Sequence, residues 1–207
     1  MKSAAIVALL LLFAGAPLVA QERNIQLTVW ASQTEMQGES DFEGGFETDF
    51  DDGAALGASA NLFLNNRFSV EGSVFGLRSE TGLVLDGTPV LDLGKLDLTI
   101  LSAGAQFHIL GQSRFDPYIG AGGAYVIADG FSSGDLQSAG LGRIELDNEF
   151  TYYGNVGIGF QITQGFGIVI DARYIPYEPS SRSSATGIEQ DLEISPRILS
   201  AGLRLQF

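Results

Sequence analysis

From Asn24 onward apolar and polar residues alternate with period two, the mark of strands that have two different faces. In the first such run Ile25, Leu27, Val29 and Ala31 point one way, while Gln26, Thr28, Trp30 and Ser32 point the other. The same alternation recurs over residues 53–64, 67–78, 97–110, 115–128, 149–161, 166–178 and 194–207. Each run is long enough for a tilted membrane-spanning strand of about 9 to 11 residues. Asn65-Asn66, residues 111–114 and Thr163-Gln164-Gly165 form short polar turns. Residues 34–52, 79–96, 129–148 and 179–193 are long links rich in Gly, Ser, Asp and Glu. An even strand count with short turns at one end and long links at the other predicts an all-β fold, an eight-stranded antiparallel up-and-down transmembrane β-barrel. Its termini are then periplasmic and its long links extracellular.

Period two does not say which face meets lipid, and a soluble ligand-binding barrel alternates equally well. The polar face decides. It carries Ser59, Asn61, Ser69, Ser73, Ser102, Gly104, Gly120, Gly122, Asn155, Gly157 and Gly202, with few charges. Small uncharged residues suit a narrow interior, so the apolar face is assigned to lipid. The lumen then holds Glu71, Asp171, Arg173 and Arg204, which need one another as partners and are expected to form a network with Gln106, His108 and Tyr118. The other half of the lumen reads as an apolar mouth of Trp30, Phe75, Leu77, Leu98, Ile100, Val126, Tyr153, Ile175, Tyr177 and Ile198. Two readings stay open there: an apolar ligand site, or aromatics that pack against each other and the links.

Lys2, the apolar run Ala4 to Phe13 and the small-residue exit Ala14 to Ala20 predict a cleaved signal peptide over residues 1–20, leaving residues 21–207 as the barrel. Nothing after residue 20 is long and apolar enough for a membrane helix, and there is no cysteine. The net charge of −14 is concentrated in the long links. Glu35, Glu39, Asp41, Glu43, Glu47, Asp49, Asp51 and Asp52 crowd the first, where a solvated, self-repelling loop is the plain reading. No metal-ligand spacing is present, and no cofactor, metal or nucleic acid is expected. Phe42, Phe46 and Phe50 recur every four residues, which offers one side of a short helix over the mouth, although Gly44-Gly45 opposes it. His108, the only histidine, falls at the periplasmic end, and no serine elbow or phosphate loop appears. The chain is expected not to be an enzyme.

Phe115-Asp116-Pro117-Tyr118-Ile119-Gly120-Ala121-Gly122 resembles the "PYVGAG" segment of the outer membrane protein W (OmpW) family. Asp171 to Ile175 and the stretch from Ser195-Pro196 to Phe207 are similar to that family's last two strands, whereas the proline expected before the fourth strand is absent at Gly94-Lys95-Leu96-Asp97-Leu98. The resemblance implies an eight-stranded outer-membrane barrel with a hydrophobic lumen, linked to uptake of small apolar molecules through an opening toward the membrane. Phe207 resembles the terminal signal read by the outer-membrane assembly machinery, which joins outer-membrane lipid and lipopolysaccharide as an expected partner. The function expected is a passive conduit or binding barrel for small hydrophobic molecules. The alternative is a structural or adhesive surface barrel acting through its acidic links.

Overall fold

The computed structural model describes residues 24–37, 46–50, 52–85, 88–111, 113–129, 144–183, 189–191 and 194–207. The expected signal peptide and residues 38–45 and 51 of the acidic first link lie outside the described residues. The alternating runs form the strands β1 (Ile25–Gln37), β2 (Gly53–Phe63), β3 (Phe68–Leu85), β4 (Thr88–His108), β5 (Phe115–Ala128), β6 (Glu149–Gln161), β7 (Phe166–Tyr174) and β8 (Ser195–Gln206). Each pairs antiparallel with its neighbour in sequence, and β1 pairs with β8 from Gln26↔Gln206 to Gln37↔Ser195. That last ladder closes the eight strands into a barrel with no free edge, which is what a strand protein needs where no water can satisfy backbone groups.

The chain ends meet at one rim, where Phe207 N donates to Ile25 O at 2.9 Å. The short turns lie at that rim too. One of them is held by Asn65 Oδ1, which accepts from the backbone N–H groups of Arg67 and Phe68. Side-chain parity follows the sequence pattern: Trp30 is 4% exposed and faces the lumen, whereas Val29, next to it, is 60% exposed on the outer wall. The outer wall is apolar along Leu56, Leu101, Ile119, Val156, Ile170, Leu199 and Leu203. Aromatic residues ring it at both ends, with Phe68, Phe115, Phe160 and Phe207 near the chain termini and Phe150, Tyr152 and Tyr174 toward the far rim.

At the far rim the chain carries more strand than the alternation predicts. Residues 79–96, expected as a link, continue the β3–β4 ladder out to Leu85↔Thr88, with register shifts at Thr81/Gly82 and Leu83/Val84. The Gly and Asp residues that read as loop are accommodated at and beside those irregularities. Phe46–Phe50 is a strand paired with residues 81–85 of this hairpin, which rules out a helix over Phe46 and Phe50, in line with the objection from Gly44-Gly45; Phe42 lies outside the described residues. Ile144–Leu146, Ser180–Ser183 and Glu189–Asp191 form a separate three-stranded sheet within segments expected as links. The seventh strand, expected to reach residue 178, ends at Tyr174.

Two glycines make room for the largest lumen side chains. A Cβ on Gly157 would collide with the phenol end of Tyr118, and one on Gly202 would come within 2.7 Å of the Trp30 ring. The barrel is narrow enough that a ring crossing the lumen needs a bare backbone opposite it.

Candidate functional site

The lumen is organised around Arg173, carried inward by β7. Its Nη2 donates to Glu71 Oε1 at 2.6 Å, and its Nη1 donates to Ser73 Oγ at 2.8 Å and Ser102 Oγ at 3.1 Å. Around the barrel the strands run β3-β2-β1-β8-β7-β6-β5-β4, so β3 and β7 lie four steps apart in either direction. The Arg173–Glu71 ion pair therefore spans the lumen from one wall to the opposite one. Asp171 Oδ1 lies 3.7 Å from Arg173 Nε. Its other oxygen accepts from Tyr118 Oη at 2.8 Å and Asn155 Nδ2 at 2.7 Å. Gln106 Nε2 donates to Glu71 Oε2 at 2.8 Å. Each of these side chains is almost fully buried. Burial makes the pairing obligatory, because removing one member leaves an uncompensated charge in a low-dielectric space.

A second cluster lies nearer the chain termini. Arg204 Nη1 donates to Asp116 Oδ2 at 3.0 Å, and Asp116 Oδ1 is 2.8 Å from His108 Nδ1. His108 Nε2 is 3.0 Å from Ser69 Oγ. The Arg204 guanidinium lies 5.8 Å from the centroid of the Tyr118 ring, which separates the two clusters. All seven residues expected in the network, Glu71, Gln106, His108, Tyr118, Asp171, Arg173 and Arg204, lie in these two groups. Asp116, Ser69, Ser73, Ser102 and Asn155 complete them and were not assigned there from sequence. Asp116 shares the inward parity of Tyr118 and Gly120, so the alternation did carry the signal.

Ser69, His108 and Asp116 have the order of contacts found in hydrolytic triads. Ser69 is 1% exposed, its hydroxyl also reaches Asn61 Oδ1 at 3.4 Å, and Asp116 is committed to Arg204. A nucleophile needs reach to a substrate as well as to a base, and burial of Ser69 holds its hydroxyl away from the surface.

Above Arg173 the lumen changes character. Phe75 and Tyr153 stack on the guanidinium at 5.1 and 4.6 Å and form a floor for an apolar cluster. The ten apolar residues read from sequence all lie in that cluster, buried and in mutual contact, together with Leu96, Leu146 and Ile194 from the extended rim. Trp30 Nε1 donates to Ser59 Oγ at 3.0 Å and Tyr177 Oη to Asp147 O at 2.8 Å, whereas the buried Tyr153 hydroxyl meets no partner at hydrogen-bonding distance. Leu96 continues the parity of Leu98 and Ile100. It was missed because it falls with Gly94 and Lys95 in residues 79–96, which read as link.

A hollow of about 840 Å³ lies at the wall, where outward Ile119, Val156, Tyr174 and Leu199 meet inward Asn155, Arg173 and Ile198. Among the described residues no group of His, Asp and Glu is arranged to hold a metal ion.

The sequence model of the OmpW family matches residues 15–207. The crystal structure of the outer membrane protein OprG from Pseudomonas aeruginosa is similar in fold, with TM-score 0.72, 14% identity, and coverage of 90% of this chain and 97% of that one. The solid-state NMR structure of the outer membrane protein AlkL in lipid bilayers gives TM-score 0.64 at 18% identity, covering 93% and 94%. The solution structure of the E. coli outer membrane protein W gives TM-score 0.52 at 12% identity, covering 91% and 100%. At these identities the likeness is one of fold. No curated protein sequence matches the chain.

Proposed function

The chain belongs to the OmpW family, and from that premise we propose that this outer-membrane barrel is a passive binding barrel and conduit for small, uncharged apolar molecules. The observation that carries the reading is the division of the lumen. Its inner half is spanned by the Arg173–Glu71 ion pair and filled by its hydrogen-bonded partners. Its other half is an apolar cluster bounded by Trp30, Leu77, Leu98, Ile100, Val126, Ile175 and Ile198. An ion or polar solute meets no hydrated path through such an interior, whereas an apolar solute can exchange for apolar packing at little cost in transfer free energy. In this reading the termini and short turns face the periplasm, the long links face outward, and Phe207 presents the terminal aromatic to the assembly machinery.

The test is uptake by intact cells. Cells expressing the chain should accumulate N-phenyl-1-naphthylamine, a small apolar fluorophore, several-fold faster than cells with an empty vector. The variant Ile100→Asp, which places an unpaired carboxyl in the apolar half, should return the rate to background at equal folded barrel in the membrane. Equal rates with and without the chain would overturn the reading.

The close packing of the apolar cluster favours a second reading, a surface barrel that acts through its acidic links without transport. Deleting residues 36–50 should then abolish adhesion or sensitivity to divalent cations while uptake stays at background.

A further inference from the structure

We propose that the short-turn rim carries a site for an anionic phospholipid, with Arg114 holding the headgroup phosphate and Phe160, Phe115 and Ile162 seating the start of the acyl chains. The site is independent of the conduit and takes from the reading above only the orientation, with the short turns on the periplasmic side. The lipid is then one of the inner leaflet.

The first observation is charge. The chain has a net charge of −14, and its far rim carries acids at or near the surface, among them Asp97, Asp147, Glu149 and Glu178. The short-turn rim reverses the sign. Among the described residues it shows two exposed arginines, Arg67 and Arg114, and one acidic side chain, Asp116, which is buried and committed to Arg204 and His108. No acid among the described residues pairs with either exposed arginine. The ammonium of a zwitterionic headgroup finds no acidic side chain to meet it there. A phosphodiester with an uncharged headgroup, as in phosphatidylglycerol, finds its counter-charge.

The second observation is how Arg114 is held. Its carbonyl accepts from Gln161 N at 2.8 Å, and its Nε donates to Gln161 O at 3.3 Å. Its guanidinium lies 5.1 Å from the centroid of the Phe160 ring. Phe160 is exposed on the lipid-facing wall, directly opposite exposed Phe115, and Ile162 is exposed beside it in the chain. The ring and the Nε bond fix the guanidinium at the edge of the apolar wall. Its Nη1 and Nη2 groups meet no acceptor among the described residues. A planar fork of this kind matches two oxygens of one phosphate, and holding it in place beforehand removes much of the rotamer cost of binding. Arg67 lies on the neighbouring turn, where its carbonyl accepts from His108 N at 2.8 Å, and adds positive field to the same rim. At the opposite rim the fork of Arg78 is already filled, by both oxygens of Asp97.

The experiment is native mass spectrometry of the folded barrel released from micelles that contain phosphatidylglycerol and phosphatidylethanolamine of the same acyl chains in equal amounts. Retained phosphatidylglycerol should exceed phosphatidylethanolamine about five-fold, the factor that one arginine near an anionic surface supplies. Arg114→Gln should bring the ratio below about two, Arg114→Lys should keep part of it, and Phe160→Leu, which removes the platform and leaves the wall apolar, should roughly halve it. Arg78→Gln, at the other rim, should change it by less than about a third. Heat-modifiable migration on gels verifies that each variant is folded. Equal retention of the two lipids, or a ratio unmoved by Arg114→Gln, overturns the site. Loss of the preference when inorganic phosphate is added at the lipid's own concentration marks a site for soluble anions and overturns the lipid assignment. Orientation is read separately. The chain has no cysteine, so Thr163→Cys in the third short turn should react with a polyethylene-glycol maleimide too large for porins only after the outer membrane is permeabilised. Reaction in intact cells overturns the orientation and the inner-leaflet assignment with it, whatever the lipid ratio.

Discussion

Arg173 joins more of the interior than any other residue described. Its guanidinium is bonded to Glu71 across the lumen and to two serines on adjacent strands, and it lies between the Phe75 and Tyr153 rings. Arg173→Met keeps the length of the stem and removes the charge, leaving Glu71 and Asp171 buried without their cation. Loss of one partner of a buried pair costs about 3 to 5 kcal/mol. The urea midpoint of the barrel in detergent should fall accordingly, and the double variant Glu71→Gln with Arg173→Met should recover part of the loss. An equal or larger loss in the double variant would show that the ion pair is not what holds the plug. At this scale the sequence was readable wherever parity alone assigns a side chain, as for Glu71, Asp171, Arg173 and Arg204. It was not readable where partners depend on distance across the lumen. No spacing along the chain brings Ser73, Ser102 and Arg173 together; only closure of the barrel does.

The strands themselves follow from alternation, and their boundaries do not. β3 and β4 continue past residues 79 and 97, where alternation gives way to Gly and Asp that read as link, because the partner strand and two register shifts carry the ladder onward. β7 stops early for the opposite reason: Pro176 ends pairing although Ile175 and Tyr177 keep the inward parity of the strand. Beyond the cluster the long hairpin contributes little to closure. Replacing residues 81–94 by a short Gly-Ser turn, which keeps Leu96 and the ladder below it, should therefore leave the barrel's heat-modifiable migration on gels and its urea midpoint nearly unchanged. A barrel that no longer folded would mean that the extension nucleates the β3–β4 pair. The four-residue spacing of Phe46 and Phe50 offered a helix, which Gly44-Gly45 opposed; the residues between them, Glu47, Thr48 and Asp49, pair along a strand.

For the whole molecule, closure turns an alternating sequence into two solvents. Lipid meets Val29, Leu56, Val156, Ile170 and Leu199, and the inside is divided between a network of charges that satisfy one another and an apolar half that needs no partner. This division was legible from inward positions in sequence, and it is the basis of the functional reading. Trp30 makes it measurable, since it is the only tryptophan and sits in the apolar half, hydrogen-bonded to Ser59. In detergent-purified barrel, titration with 1-bromooctane, a heavy-atom quencher with no charge or hydrogen-bonding group, should quench Trp30 emission along a saturating curve. Leu98→Arg should convert that curve to the shallow, linear one of simple partitioning. A linear response in the unaltered barrel would contradict an apolar binding lumen.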